Sequence, residues 1–503
     1  MDIVTTGTPK THEAIGQQPI DIYRDTLLTT LQAAAHSATR RQRRILASFT
    51  FPITAYDSVR TFQGARQAEL GECFFWEHPV EHQALVGVGA ALTIETRGNS
   101  CFTDAASMWR EVMQDAIIGS TSPSQDGPIF FGGFAFDPLS ARTRLWADFP
   151  DGLLLLPSLL ISYKDSDVTL TVNRMIGVAD DIEQCADEMI AGAKRLHNAI
   201  ERVQPIALVD NIDTYEQTMQ STPTILDMRP ASEWMALVAD TMQGIQQGKY
   251  EKVVLARGVQ VLLSGFTATF DIAATLQQLC QQYPDTYVFA IQRGERFFVG
   301  ATPERLVQAR DRQIRTMALA GSAPRGASEE EDMQIGLELL QNRKNNAEHA
   351  LVVAEVRDAL LAHCTHVHTI EKPQLLKLKN VQHLKTPIVG ELLQGRCILD
   401  VMAQLHPTPA VGGFPREAAL TAIRDTEQLD RGWYAGPLGW IGASGHGEFA
   451  VALRSGLVDG NSATLFAGCG IVAASDPQSE YDESCLKLQV MLRGLQVHSH
   501  DDM

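Results

Sequence analysis

The stretch VALRSGLV, residues 451–458, limits what this chain can fold into more sharply than any other. Its alternation is that of a β-strand, with Val451, Leu453 and Ser455 on one face and Ala452, Arg454 and Gly456 on the other. The Arg454 side chain leaves a face whose strand neighbours are both small. A charged fork flanked by space is an odd tenant of a packed sheet, and the space calls for an explanation.

Length and composition bound the answer. A chain of 503 residues holds two to four average domains or one large one. The apolar fraction of 45% and charged fraction of 20% are those of a soluble globular protein with a real core. No apolar run approaches the ~18–20 residues of a membrane span. The opening MDIVTTGTPKTHEAIGQQPIDIYRD lacks a basic n-region and an apolar h-region, which predicts no secretory signal. Cysteines 73, 101, 185, 280, 364, 397, 469 and 485 are scattered without a CxxC pair, a pattern that predicts free thiols in a reducing cytoplasm. A formal net charge of -18 argues against nucleic acid and against an anionic membrane surface as partners. An anionic substrate would need cations or a metal concentrated locally.

The chain divides by character near residue 225. Residues 1–225 mix a helical opening with strand-like runs such as ALVGVGAALTIET and PIFFGGFAFDP. The polar stretch ALVDNIDTYEQTMQSTPTILDMRP, residues 207–230, breaks the periodicity and is the candidate connection. In 226–503 strands and helices alternate and Gly-rich turns multiply.

Five stretches of this second part carry candidate chemistry. In YEKVVLARGVQVLL, Lys252 begins a strand whose other positions read as buried; it is either a solvent-facing lysine at a strand entrance or a desolvated amine able to act as a base. In FFVGATPERLV a strand runs into Gly300, turns through Pro303 and presents Glu304. KNNAEHALVVAEVRDALLAH is helical and stacks Glu348, Val352 and Glu355 on one face, by default a solvated acidic face. In SEYDESCLKLQVMLRGL, Tyr481, Cys485, Leu488 and Leu492 form a buried stripe. Glu480, Glu483 and Lys487 fall on a separate face, which suits a divalent metal plus an anion or a plain salt-bridge ladder. LFAGCGIVAASDP frees backbone N–H groups for close approach to a ligand, without the pattern of a P-loop. The cluster HCTHVH at 363–368 matches no standard zinc spacing and reads as a polar strand edge.

Singly, each stretch has an ordinary structural explanation. In order, KVVLAR, GATPERLV, ALAGSAPRG, AEH, VQHLKTPIVGEL, LHPTPAVGGFP, RGWYAGPLGW, EFAVALRSGL, AGCGIVAASDP and the closing E-Y-D-E and K resemble the chorismate-utilising enzymes over roughly residues 230–495. CFFWEHP and FFGGFAFDP resemble the N-terminal part of isochorismate synthases. Members of the family that add ammonia lack the lysine found here at Lys252 and carry a P-x-G-T-x-T-G-A-P-K type segment in place of HPTPAVGGFPREAA. The resemblance therefore implies that water is the nucleophile and favours an isochorismate synthase, an isomerase of chorismate. The rivals are a salicylate synthase, a siderophore-pathway isochorismate synthase and a non-catalytic chorismate-binding protein.

The resemblance also implies roles. Lys252 would be the general base that deprotonates water for attack at ring C2, and Glu304 the general acid at the departing C4 hydroxyl. Burial would have to lower the lysine pKa and raise that of the glutamate. Glu348 and Glu483 would ligate Mg²⁺, with Glu480 supporting and Asn345 standing where some relatives have a carboxylate. Arg454 would face a pocket and hold the enolpyruvyl carboxylate bidentately, assisted by Tyr434. Lys487, His383, Ser322 and backbone amides around Gly321 and Gly468–Gly470 would complete the substrate site. The implied fold is one large α/β unit of α+β type, with two mostly antiparallel sheets packed face to face, helices outside, and strands from both parts. A monomer without a glutaminase subunit, working in the cytoplasm in menaquinone biosynthesis, completes the expectation.

Overall fold

The computed structural model describes residues 20–121, 127–204, 223–265, 268–377 and 381–497. Most of the polar connection read at 207–230 lies outside them. Its last part, Thr224–Asp227, is an exposed strand paired with Lys252–Leu262.

Two sheets of thirteen and ten strands form the body of the molecule, and their pairs are antiparallel except for Ile45–Pro52 beside Ile117–Ser120. Both parts of the sequence feed both sheets. In the larger sheet Cys73–His78 pairs with Tyr287–Arg293 (Phe75↔Ala290), and in the smaller Ile129–Phe134 pairs with Pro437–Gly442 (Gly132↔Gly439). Period-two alternation sorts the side chains of the larger sheet into two cores. Phe74, Phe289 and Phe298 point between the sheets, where Phe74 stacks on Phe131 with ring centroids 4.3 Å apart. Phe75, Val288 and Ala290 point the other way, under helices that include Arg24–Arg41, Ser58–Gln67 and Ile182–Arg202. Burying large aromatics on both faces is what holds so broad a sheet in place.

The alternation of VALRSGLV does not continue as one strand. Gly447–Val451 belongs to the smaller sheet and Ser455–Asp459 to the larger, so the chain changes sheets through Ala452–Arg454. Arg454 makes the bend with φ 48°, a left-handed conformation that a non-glycine residue adopts at a steric cost. A second crossing lies beside it. Arg296–Thr302 is in the larger sheet, Arg305–Arg310 is in the smaller, and Pro303–Glu304 join them. The two crossings are laced together by Ala301 N–H donating to Arg454 O (3.1 Å), Val451 N–H to Glu304 O (2.9 Å) and Thr302 Oγ1 to Val451 O (2.6 Å).

Candidate active site

Each crossing presents one of the predicted residues. Glu304 is half-buried, and burial pushes its carboxyl up to about 7 against the pull of Arg454, Lys252 and Lys487. The Arg454 side chain has no hydrogen bond or ion pair with another described residue, although it is half-buried. Burial draws its guanidinium below its ordinary value, while Tyr434, Cys469, Glu483 and Glu304 pull the other way. A planar fork held in the protein with carboxylates near it but none in contact is set to receive an anion.

The floor is the pair Lys252–Leu262 and Ser462–Ile471, registered with Val254 opposite Gly470 and Ala256 opposite Gly468. The glycines leave room for larger neighbours. A Cβ at Gly470 would lie 2.9 Å from Lys252 Cε, and one at Gly468 would lie 3.2 Å from the Tyr434 hydroxyl. Lys252 crosses this space to place Nζ 3.7 Å from Glu348 Oε1. Tyr434 is buried against Phe466 with centroids 5.2 Å apart, and burial raises its phenol.

Helix Pro477–Gly494 supplies Glu480, Glu483 and Lys487. Arg257 anchors it, with Nε donating to Ser484 Oγ (2.6 Å) and the guanidinium 4.4 Å from the Tyr481 ring centroid. Lys487 Nζ donates to Gly468 O at 2.9 Å and pairs with Glu483 Oε1 at 2.5 Å. Ser475 Oγ donates to Glu480 Oε1 at 2.7 Å, yet burial still raises the Glu480 carboxyl. Ligand atoms of Glu480, Glu483 and Cys469 lie within 4.8 Å of one another. The two carboxylates offer the oxygens a hard divalent cation takes, whereas the buried Cys469 thiol is a soft donor turned to Glu480 O at 3.3 Å.

The opposite wall is helix Arg343–Leu361, and its acidic face is only partly solvated, where the default reading had it open to water. Val352 is buried, Glu348 meets Lys252, and Glu355 pairs with Arg416 at 3.2 Å. His349 holds this helix to the sheet, its ring nitrogens 2.7 Å from Thr386 Oγ1 and 3.2 Å from Ala320 O. The sequence reading gave His349 no role, and its buried environment follows only from the packing. Next to Ala320 the register shifts at Gly321, whose φ of 76° makes a bulge facing Asn345. The bulge sets His383 opposite Ser322, whose side chain lies outside those described. Burial holds the His383 imidazole down at about 4, with Lys487, Lys252 and Arg454 adding to the effect and Glu483 opposing it. It is a neutral ring at pH 7.

HCTHVH lies apart from this group, in the strand Cys364–Thr369, with His366 and His368 exposed. Among the described residues, no helix is long and apolar enough to cross a membrane.

The fold thus gathers a raised carboxyl, an arginine fork without a side-chain partner and two helix-borne carboxylates at the crossings between two mostly antiparallel sheets. The chain belongs to the chorismate-binding enzymes, the family described as Chorismate binding enzyme matching residues 30–496. It is 36% identical over 468 residues to isochorismate synthase MenF of Bacillus subtilis, covering 92% of this chain and 96% of the relative. It is 35% identical to the salicylate biosynthesis isochorismate synthase of Pseudomonas aeruginosa, with 93% of each chain covered. Its fold is that of the menaquinone-specific isochorismate synthase MenF of Escherichia coli, with a TM-score of 0.73, 25% identity, and 95% of this chain and 100% of that one covered.

Proposed function

We propose that this protein is an isochorismate synthase, which adds water at C2 of chorismate and expels the C4 hydroxyl as the ring double bonds shift. The observation that carries the reading is the unpartnered Arg454 fork beside a carboxyl raised to about 7. Arg454 holds the enolpyruvyl carboxylate, with Tyr434, Lys487, His383 and the backbone at Gly321, Ser322, Gly468 and Gly470 around the rest of the substrate. Lys252 takes a proton from water, and Glu304 gives one to the departing hydroxyl. Incubation with chorismate and Mg²⁺, followed by chromatography, tests this: isochorismate is expected, and unchanged chorismate overturns it. Salicylate with pyruvate would identify the lyase-bearing alternative.

Glu348 and Glu483 would hold Mg²⁺, with Glu480 fixing its surroundings. The ion would neutralise the ring carboxylate and orient it. The grouped oxygens of Glu480 and Glu483 fit such an ion, Glu348 stands outside that group beside Lys252, and Cys469 is not a donor the ion would choose. Glu480→Gln is expected to raise the Mg²⁺ concentration for half-maximal rate about 10–100-fold, the usual cost of a lost supporting contact. An unchanged Mg²⁺ titration removes Glu480 from the metal's surroundings.

The pH profile follows from the shared proton. The forward reaction uses protonated Glu304 with neutral Lys252, and the reverse uses the same pair with the proton exchanged. Both forms carry one proton between them, and a second proton inactivates both. With the Glu304 carboxyl raised to about 7, kcat/KM falls as pH drops below about 7, in both directions. An acid limb near pH 4, where a free carboxyl titrates, would contradict the buried acid.

Menaquinone biosynthesis is the pathway we favour, because the MenF relatives match along nearly their whole length. The Pseudomonas relative matches as fully and keeps a salicylate route as the second reading. The cysteines are all free thiols, in keeping with a cytoplasmic protein, and Lys252 speaks against a glutaminase partner.

A further inference from the structure

Glu304 also faces a second, smaller space. A cavity of about 10 Å³ is lined by Glu304, Leu306, Ala318, Val352, Thr408 and Ala410, among others. That is the room of one water and far short of a substrate ring. Its wall is mostly apolar. Of its other polar members, Thr316 donates its hydroxyl to Leu306 O at 2.6 Å, and Arg305 pairs with Glu448 at 3.5 Å through Nη1, while its Nε is buried without a partner among the described residues. Thr408 Oγ1 is fully buried and has no hydrogen-bond partner among the described residues. A buried hydroxyl left without a partner is costly, so an unpartnered one beside a water-sized space that Glu304 helps to line points to a bound water.

We infer that Thr408 is a positioning residue: it holds one water in this cavity, hydrogen-bonded to the Glu304 carboxyl. The hydroxyl donates to the water and the water donates to a carboxylate oxygen. This chain favours the charged form of Glu304 and offsets part of its burial, making it a stronger acid toward the C4 hydroxyl. The charged groups acting on Glu304 are Arg454 from the second crossing, Lys252 from the floor and Lys487 from the helix; none of them lines this cavity. The inference rests on the acid role given to Glu304 above.

Thr408→Val keeps the shape and deletes the donor. It is expected to move the acid limb of kcat/KM upward by about one pH unit, and to lower kcat by up to about tenfold with KM unchanged. Thr408→Ser is expected to restore both values. Wild-type pH limb and kcat in Thr408→Val overturn the inference while leaving the isomerase reading intact. Failure of the wild type itself to make isochorismate is the separate failure of that reading. A high-resolution crystal structure of the wild type gives an answer independent of the variants: an ordered water within hydrogen-bond distance of Thr408 Oγ1 and the Glu304 carboxyl is expected, and a dry cavity overturns it.

Discussion

Lys252→Ala is expected to lower kcat for chorismate isomerisation by about 10²–10⁴, the range a positioned general base supplies. Substrate binding is expected to survive, because the carboxylate contacts assigned to Arg454 and Lys487 do not involve this amine. The change also frees Glu348 from its 3.7 Å pairing, but both side chains are partly exposed, at 19% and 34%, and pairs of that kind contribute little to stability. The melting temperature is therefore expected to stay near that of the wild type. Gly470 makes the experiment clean, since its missing side chain already leaves the space through which Lys252 runs. Steady-state kinetics with a binding measurement for chorismate decide the matter. Wild-type turnover in Lys252→Ala removes it from the mechanism. A parallel loss of binding and of folded protein makes it a structural residue.

Periodicity exposed some of this site and concealed the rest. The strand beginning at Lys252 is legible because it runs unbroken for Lys252–Leu262 and is buried at nearly every position. The carboxylates and lysine of Pro477–Gly494 are legible because helical spacing alone gathers them on one face. The crossing at Ala452–Arg454 is not. Eight alternating residues look the same whether a strand stays in one sheet or passes to another, and the choice is made by partners about 150 positions away, at Ala301–Glu304. The inward turn of Glu348 and Glu355 is hidden for a related reason: a mixed helix has no unambiguous apolar stripe, so its orientation depends on Lys252, Arg416 and the His349 anchor. Thr408 was invisible because its distinction is a missing partner, and sequence does not record missing partners. Cys469 lies inside a glycine-rich strand that draws attention to its neighbours' backbone, and only the fold brings its sulfur to Glu480 and Glu483.

The crossing also explains why an arginine serves where a lysine would not. Arg454→Lys keeps one charge but cannot offer two parallel N–H groups to a carboxylate. Arg454→Ala removes both the charge and the fork, and leaves the enolpyruvyl carboxylate facing Tyr434 and the buried strand floor without a counter-ion. Losing a hydrogen bond to a charged group costs about 1.5–3 kcal/mol, equivalent to about 10–150-fold in kcat/KM. Arg454→Ala forfeits two such bonds and is expected at or beyond the upper end, with Arg454→Lys between it and the wild type. Neither is expected to lower the melting temperature much, because the guanidinium bonds to no other described residue and the lacing of the two crossings runs through the backbone and Thr302. The left-handed φ of 48° disfavours any non-glycine residue there, so Arg454→Gly is the informative control. It relieves the backbone while deleting the fork, and is expected to be as inactive as Arg454→Ala and no less stable. If instead the variants unfold readily while their remaining folded fraction turns over chorismate normally, Arg454 holds the sheets together and the anion is bound elsewhere.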